Sequence, residues 1–155
     1  MGRIVRPEDF QRALGTSPWA RSAHFAVHHL PQSPSRPRPA RLAAKLSTNP
    51  EQTCSQLVED PAPAAPAAPV GWWLGMVVPK RHARRSVTRS LVKRQIRVAA
   101  SAAAERALTP GLWVVRLRSP IDRRAFPSAA SDALRATLRA ELEQMMDAAV
   151  RRCHG

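Results

Sequence analysis

The run Pro61-Ala-Pro-Ala-Ala-Pro-Ala-Ala-Pro69 constrains this chain more than any other feature. Proline has no amide proton and its ring clashes with the preceding helical turn, so such a run builds neither a helix nor a central strand. Nine of the 15 prolines fall between Pro31 and Pro69, and no glycine lies between Pro31 and Val70. The stretch Pro31-Gln-Ser-Pro-Ser-Arg-Pro-Arg-Pro39 has the same character. Residues 31–70 are therefore expected to be an extended, mostly disordered insertion. Leu42–Ser47 is the one piece of it read as a candidate for order. A solvated linker is preferred there over a proline-rich partner motif. Any core must then come from residues 1–30 and 71–152. For 155 residues this predicts a single interrupted domain.

The flanking pieces carry clear element signals. Pro7–Leu14 reads as a short helix, with Pro in its first turn and Glu8 and Asp9 near its positive end. Phe10 and Leu14 share one face. Ser22–Leu30 shows a weak period of two and is expected to be a strand. Gly71-Trp-Trp-Leu-Gly-Met-Val-Val-Pro79 reads as a strand buried on both faces, with Trp72 and Trp73 pointing opposite ways. Ala83–Leu108 is the strongest helical segment, Ala-rich over 99–107 and closed by Thr109-Pro110-Gly111. Leu112–Leu117 is a third strand. Ser128–Arg152 is an amphipathic helix with Leu134, Leu138, Leu142 and Met145 on its buried stripe. The predicted class is α+β, a small α/β sandwich of order αβ-(insertion)-βαβα, in which strands 71–78 and 112–117 flank a helix as a βαβ crossover.

Charge is unevenly placed. The chain carries 25 Lys+Arg against 11 Asp+Glu, a net charge of +14. From Pro61 to Ala104 there is no acidic residue, yet Lys80, Arg81, Arg84, Arg85, Arg89, Lys93, Arg94 and Arg97 all fall there. Arg85, Arg89, Lys93 and Arg97 recur every fourth residue and so form one stripe of a helix. Val87, Leu91, Val92, Val98 and Ala99 are expected on the opposite side, against the sheet. Solvated helix faces usually mix both signs, whereas a ridge of one sign points to a polyanion. Arginine's planar fork suits phosphate oxygens, and such contacts give affinity and register rather than sequence readout.

Other classes fit poorly. No stretch of about 18 apolar residues is present to cross a bilayer. The N-terminus lacks an apolar signal core, and Glu8 and Asp9 do not suit a transit peptide, so a cytoplasmic location is expected. Cys54 and Cys153 form neither a disulfide framework nor a C-x-x-C motif. His24 and His28 lie on an expected strand with no acidic or thiol ligand near them, so a metal site is not predicted. Only Glu105 is acidic between 61 and 121, too little for the acidic cluster with which a protein nuclease holds magnesium. Asp122 and Asp132 read as loop or cap residues.

The run Arg89-Ser90-Leu91-Val92-Lys93-Arg94-Gln95-Ile96-Arg97 resembles the basic helix motif of the protein component of bacterial ribonuclease P. That motif is an arginine, an asparagine and a second arginine, then Lys-Arg and a further arginine. Ser90 and Leu91 stand where the family has asparagine and the second arginine. The strand and basic turn Leu74–Arg81, Glu8-Asp9-Phe10-Gln11, the strand around His24–Val27, and the closing helix are similar too. The resemblance covers about 1–30 and 71–152 and leaves out 31–70. It implies a ribosomal-protein-like RNA-binding fold with a left-handed βαβ crossover, against the usual hand. It also implies an accessory subunit whose catalytic RNA partner, with magnesium, cuts the 5′ leader from precursor tRNA. No cofactor is then expected on the protein itself, and one monomer is expected per RNA. The implied RNA-binding residues are Lys80, Arg81, Arg84, Arg85, Arg89, Ser90, Lys93, Arg94 and Arg97. A leader cleft would involve Phe10, Leu14 and His28, although Phe10 and Leu14 equally suit ordinary helix-to-sheet packing. A structural RNA-binding protein of the ribosomal type is the competing function.

Overall fold

At the centre of the fold lies the strand Gly111–Leu117, and its residues explain why. Leu112, Trp113, Val114, Val115 and Leu117 are all buried, so both faces of this strand must be covered. The computed structural model describes residues 1–35, 68–106 and 108–154. Most of the Pro-rich segment, and the expectation of disorder placed on it, lies outside them. In chain order the elements are β1 (Gly2–Arg3), α1 (Pro7–Leu14), β2 (Ala20–Arg21), β3 (Phe25–Leu30), β4 (Trp72–Val77), α2 (Ser86–Glu105), β5 (Gly111–Leu117) and α3 (Asp132–His154). One sheet runs β1-β4-β5-β3-β2. The β4 and β5 strands are parallel neighbours joined through α2, the predicted βαβ unit, and β3 pairs antiparallel on the other side of β5. Strands from both sides of the Pro-rich segment thus complete one sheet.

Register sorts the side chains into two faces. His29 pairs with Trp113, Val27 with Val115 and Phe25 with Leu117, all facing α2 and α3. Leu30 pairs with Leu112, His28 with Val114 and Ala26 with Arg116, facing the side that α1 covers. Trp72 and Trp73 join different clusters, as the period of two requires. The expected stripe of α3 is realised, since Leu134, Leu138, Leu142 and Met145 are all buried. Each such side chain removed from water contributes about 1.5–3 kcal/mol before entropy is counted.

Specific hydrogen bonds set the element edges. The expected strand 22–30 is a hairpin: the Ser22 amide donates to the Phe25 carbonyl (2.9 Å), which turns the chain between β2 and β3. The two residues of β1 are too few to show any period, yet they add a parallel edge beside β4. Helix α2 begins at Ser86 rather than Ala83, because His82 is held elsewhere. Its Nδ1 donates to the Leu117 carbonyl (3.0 Å), and its own carbonyl accepts from the Ile121 amide (3.0 Å). Helix α3 begins at Asp132 because the Ser131 hydroxyl caps the Leu134 amide (3.2 Å). At the other boundary, residues 32–35 do not leave the fold where the linker was expected to start. Arg12 donates to Gln32 (2.9 Å), and Ser35 donates to the buried Asp9 through both its amide and its hydroxyl (2.6 Å for the hydroxyl).

Three interior groups link folding to pH. Burial holds His29 below its ordinary 6.5, against a contact with the Pro110 carbonyl that acts the other way. Burial raises Asp9 and Glu141, but hydrogen bonds outweigh it: Ser35 and Arg12 hold Asp9 below its ordinary 3.8, and His24 and Ser22 hold Glu141 below 4.5. All three therefore stabilise the fold when deprotonated. The His29 contribution is complete above pH 6.5 and is lost as pH falls below it; those of Asp9 and Glu141 are lost below their own ordinary values. The unfolding midpoint is expected to fall in two stages on acidification. His29→Phe should remove the upper stage, and its persistence in that variant would assign the stage to another group.

Candidate nucleic-acid interface

Helix α2 docks through Leu91, Val92, Ile96, Ala99, Ala100 and Ala103, all buried against the sheet and α3. Residues four apart advance about 40° beyond a full turn, so a four-residue repeat winds around the helix instead of staying on one line. The predicted stripe is therefore split. Arg89 sits at the flank, half-buried, and its Nη1 donates to the carbonyls of Ala83 (3.1 Å) and Arg84 (2.7 Å). Arg85 donates to the Pro127 carbonyl (2.6 Å). Both hold the turn into α2. Lys93, Arg94 and Arg97 project freely, with Ser90 between them, and no hydrogen bond or ion pair engages these three cations among the described residues. Lys80, Arg81 and Arg84 extend the exposed basic surface along the preceding turn. The same winding corrects two apolar assignments. Val87 and Val98 are 55% and 50% exposed and lie on the Arg94 side, not against the sheet. Leu91, where the family motif has an arginine, is 8% exposed within the core cluster.

The second surface lies on the opposite face of the sheet. Helix α1 packs over β5 and β3 through Ala13, Phe10 and Leu14. Phe10 crosses Gly75 so closely that a Cβ there would lie 2.6 Å from its ring. The ring is only partly buried, and Leu14 likewise stays at the cluster margin. His28 is placed differently from the stacking role expected of it. It is 6% exposed, and its Nδ1 donates to the Thr16 carbonyl (2.9 Å), which fastens the sheet to the end of α1. The expected period of two is right, but it turns His28 under α1. Nor do His24 and His28 share a site, since His24 binds Glu141 on α3 (2.8 Å). Among the described residues, no group of three or more His, Cys, Asp or Glu is arranged to hold a metal ion.

One residue of this surface was missed. Arg116 follows Leu112 and Val114 on the same face of β5, between Ala26 and Val77, one same-face step beyond Val114 beside Phe10. Its signal was in the sequence: a single charge at an alternate position of an otherwise apolar strand.

A half-covered sheet with a cationic helix on one face and an aromatic beside an arginine on the other defines a small basic protein of the nucleic-acid-binding type. No described helix is long and apolar enough to cross a membrane. The Ribonuclease P family profile matches residues 2–149. The chain belongs to that family. It is 30% identical over 151 residues to the ribonuclease P protein component of Paraburkholderia xenovorans, covering 96% of this chain and 81% of that one. With the corresponding protein of Bordetella parapertussis it shares 35% over 141 residues, covering 91% and 85%. The Staphylococcus aureus RNase P protein structure shares its fold, with a TM-score of 0.52 at 18% identity over 95% and 94% of the two chains. The family match runs across residues 31–70, which the resemblance had left out.

Proposed function

We propose that this chain is the protein subunit of ribonuclease P and acts in the 5′ maturation of tRNA in the cytoplasm. The observation that carries the reading is family membership joined to an exposed, unpaired cationic helix. In this reading one monomer binds one catalytic RNA through Lys80, Arg81, Arg84, Lys93, Arg94 and Arg97. Magnesium held by that RNA would supply the Lewis-acid chemistry of hydrolysis. The chain's own part is to bind and orient: its cations offset the repulsion between two RNA backbones, and the Phe10–Arg116 face receives the single-stranded leader. Arg116 meets a phosphate, and the exposed part of the Phe10 ring meets a base.

Reconstitution with the cognate RNA tests this directly. Adding the protein should stimulate precursor-tRNA cleavage at low magnesium, and a folded protein without effect would overturn the proposal. The leader surface has its own test. Phe10→Leu keeps apolar packing on Gly75 but removes the ring face. A stacked base is worth about 1–3 kcal/mol, so the variant should bind precursor tRNA roughly 5- to 150-fold more weakly. Affinity for mature tRNA, which has no leader, should not change. Equal losses for both RNAs would assign Phe10 to packing alone.

A further inference from the structure

The turn entering α2 faces the loop between β5 and α3, and a cleft of about 450 Å³ opens between them. Its rim carries Arg81, Arg84 and Arg85 from one segment and Arg123 and Arg124 from the other. Asp122 is the single carboxylate in the lining, and its Oδ1 already accepts the Arg124 amide (2.8 Å). Four positive charges are left in excess within a space the size of a small-ligand site. The floor is apolar, formed by Ile121, Phe126 and Leu134, and Phe126 is anchored by packing on the main core.

The walls are tied to each other. The bonds from Arg85 to the Pro127 carbonyl and from the Ile121 amide to the His82 carbonyl span the two segments, and the Thr88 hydroxyl donates to the Ala129 carbonyl (2.8 Å). Only one nitrogen of Arg85 is used in this way, so the rest of its fork is left for a ligand. Like charges gathered on a braced frame repel, and an anion relieves that repulsion.

We propose that this cleft is a second RNA site that takes one unpaired nucleotide of the RNA partner. Its phosphates lie between Arg84 and Arg85 on one side and Arg123 and Arg124 on the other, and its base rests on Phe126. The proposal rests on the RNA-subunit reading above. The chemistry selects a nucleotide over a bare anion because the rim is cationic and the floor is aromatic and apolar. Single-stranded RNA is recognised in this manner, by bases stacked on flat side chains and phosphates held by arginine forks. A volume of about 450 Å³ admits a nucleotide from a loop, bulge or end and excludes a duplex.

The test uses the full chain and its cognate RNA subunit carrying 4-thiouridine. Irradiation should crosslink the RNA to the tryptic peptide 125–135, which contains Phe126. The double variant Arg123→Ala/Arg124→Ala, in which Phe126 falls in tryptic peptide 119–135, should lose the crosslink to that peptide. It should bind the RNA about 5- to 30-fold more weakly, with a log–log salt slope shallower by about 1.5–2. If this variant binds like the parent while Lys93→Ala/Arg94→Ala/Arg97→Ala binds weakly, the cleft assignment falls and the RNA-subunit reading stands. If neither variant weakens binding, both fall. Weakened binding without the crosslink would mean phosphates on the rim and no base in the cleft, which overturns the nucleotide assignment. So would stabilisation of the parent by inorganic phosphate or AMP alone, with RNA affinity indifferent to Arg123 and Arg124.

Discussion

Replacing Lys93, Arg94 and Arg97 together by alanine is expected to weaken binding to the ribonuclease P RNA on the order of a hundredfold, with folding unchanged. At about 1 kcal/mol for each lost charged contact, three contacts give that factor. All three side chains are exposed and engage no partner among the described residues, so their removal leaves no buried group unpaired. The salt dependence gives the same count independently. Six projecting cations (Lys80, Arg81, Arg84, Lys93, Arg94 and Arg97) contribute about −4 to −5 to the log–log slope, and the triple variant should lose about half of that contribution. Filter binding over a salt series measures both quantities. An unchanged slope would remove α2 from the phosphate surface. Arg89→Ala should behave oppositely. It frees the carbonyls of Ala83 and Arg84 and so should lower the unfolding midpoint, with little change in slope.

Trp113→Ala should be the most damaging single change to the fold, costing about 3–5 kcal/mol. A domain of this size has about 5–15 kcal/mol in total, so the variant would approach the unfolding threshold. Trp113 is 2% exposed in the central strand. Its ring stacks on His29 at 4.2 Å between centroids and meets Trp19 edge-on at 6.2 Å, and its Nε1 donates to the Thr109 carbonyl (3.0 Å). Truncation would leave a cavity on the α2–α3 side of the sheet, free that carbonyl, and strip the stacking partner from His29, whose Nδ1 already has no partner among the described residues. Trp113→Phe keeps a ring and most of the volume and should lose much less. Urea unfolding of the pair separates these effects: equal losses would mean that the indole hydrogen bond, not the filled volume, carries the stability.

Much of the architecture was legible because its signals are short-range. Pro7 with Glu8 and Asp9, the four-residue Leu spacing of α3, and the apolar run 72–77 each encode an element within a few residues. What failed lay at element edges, where distant groups compete. Ser86 starts α2 because His82 bonds to Leu117 and Ile121, and 35–39 residues separate these partners. The stretch 32–35 stays on the fold because Asp9 and Arg12 hold it across 20 to 26 residues of sequence. No local pattern encodes such pairings.

The interface divides in the same way. The acid-free block, its helix and the family motif are local properties, and the residues alone located them. Whether a cation in that block binds outward or inward is another matter, because it depends on which carbonyls lie within reach of each guanidinium. Tertiary packing ties Arg89 to the carbonyls of Ala83 and Arg84 and one nitrogen of Arg85 to that of Pro127, and leaves Lys93, Arg94 and Arg97 without a partner among the described residues. Strand register likewise turns His28 under α1 and brings Arg116 beside the Phe10 surface. Chain closure sets Arg123 and Arg124 opposite Arg84 and Arg85. Charge and periodicity are sums over neighbours in the chain, but a binding surface is set by neighbours in space.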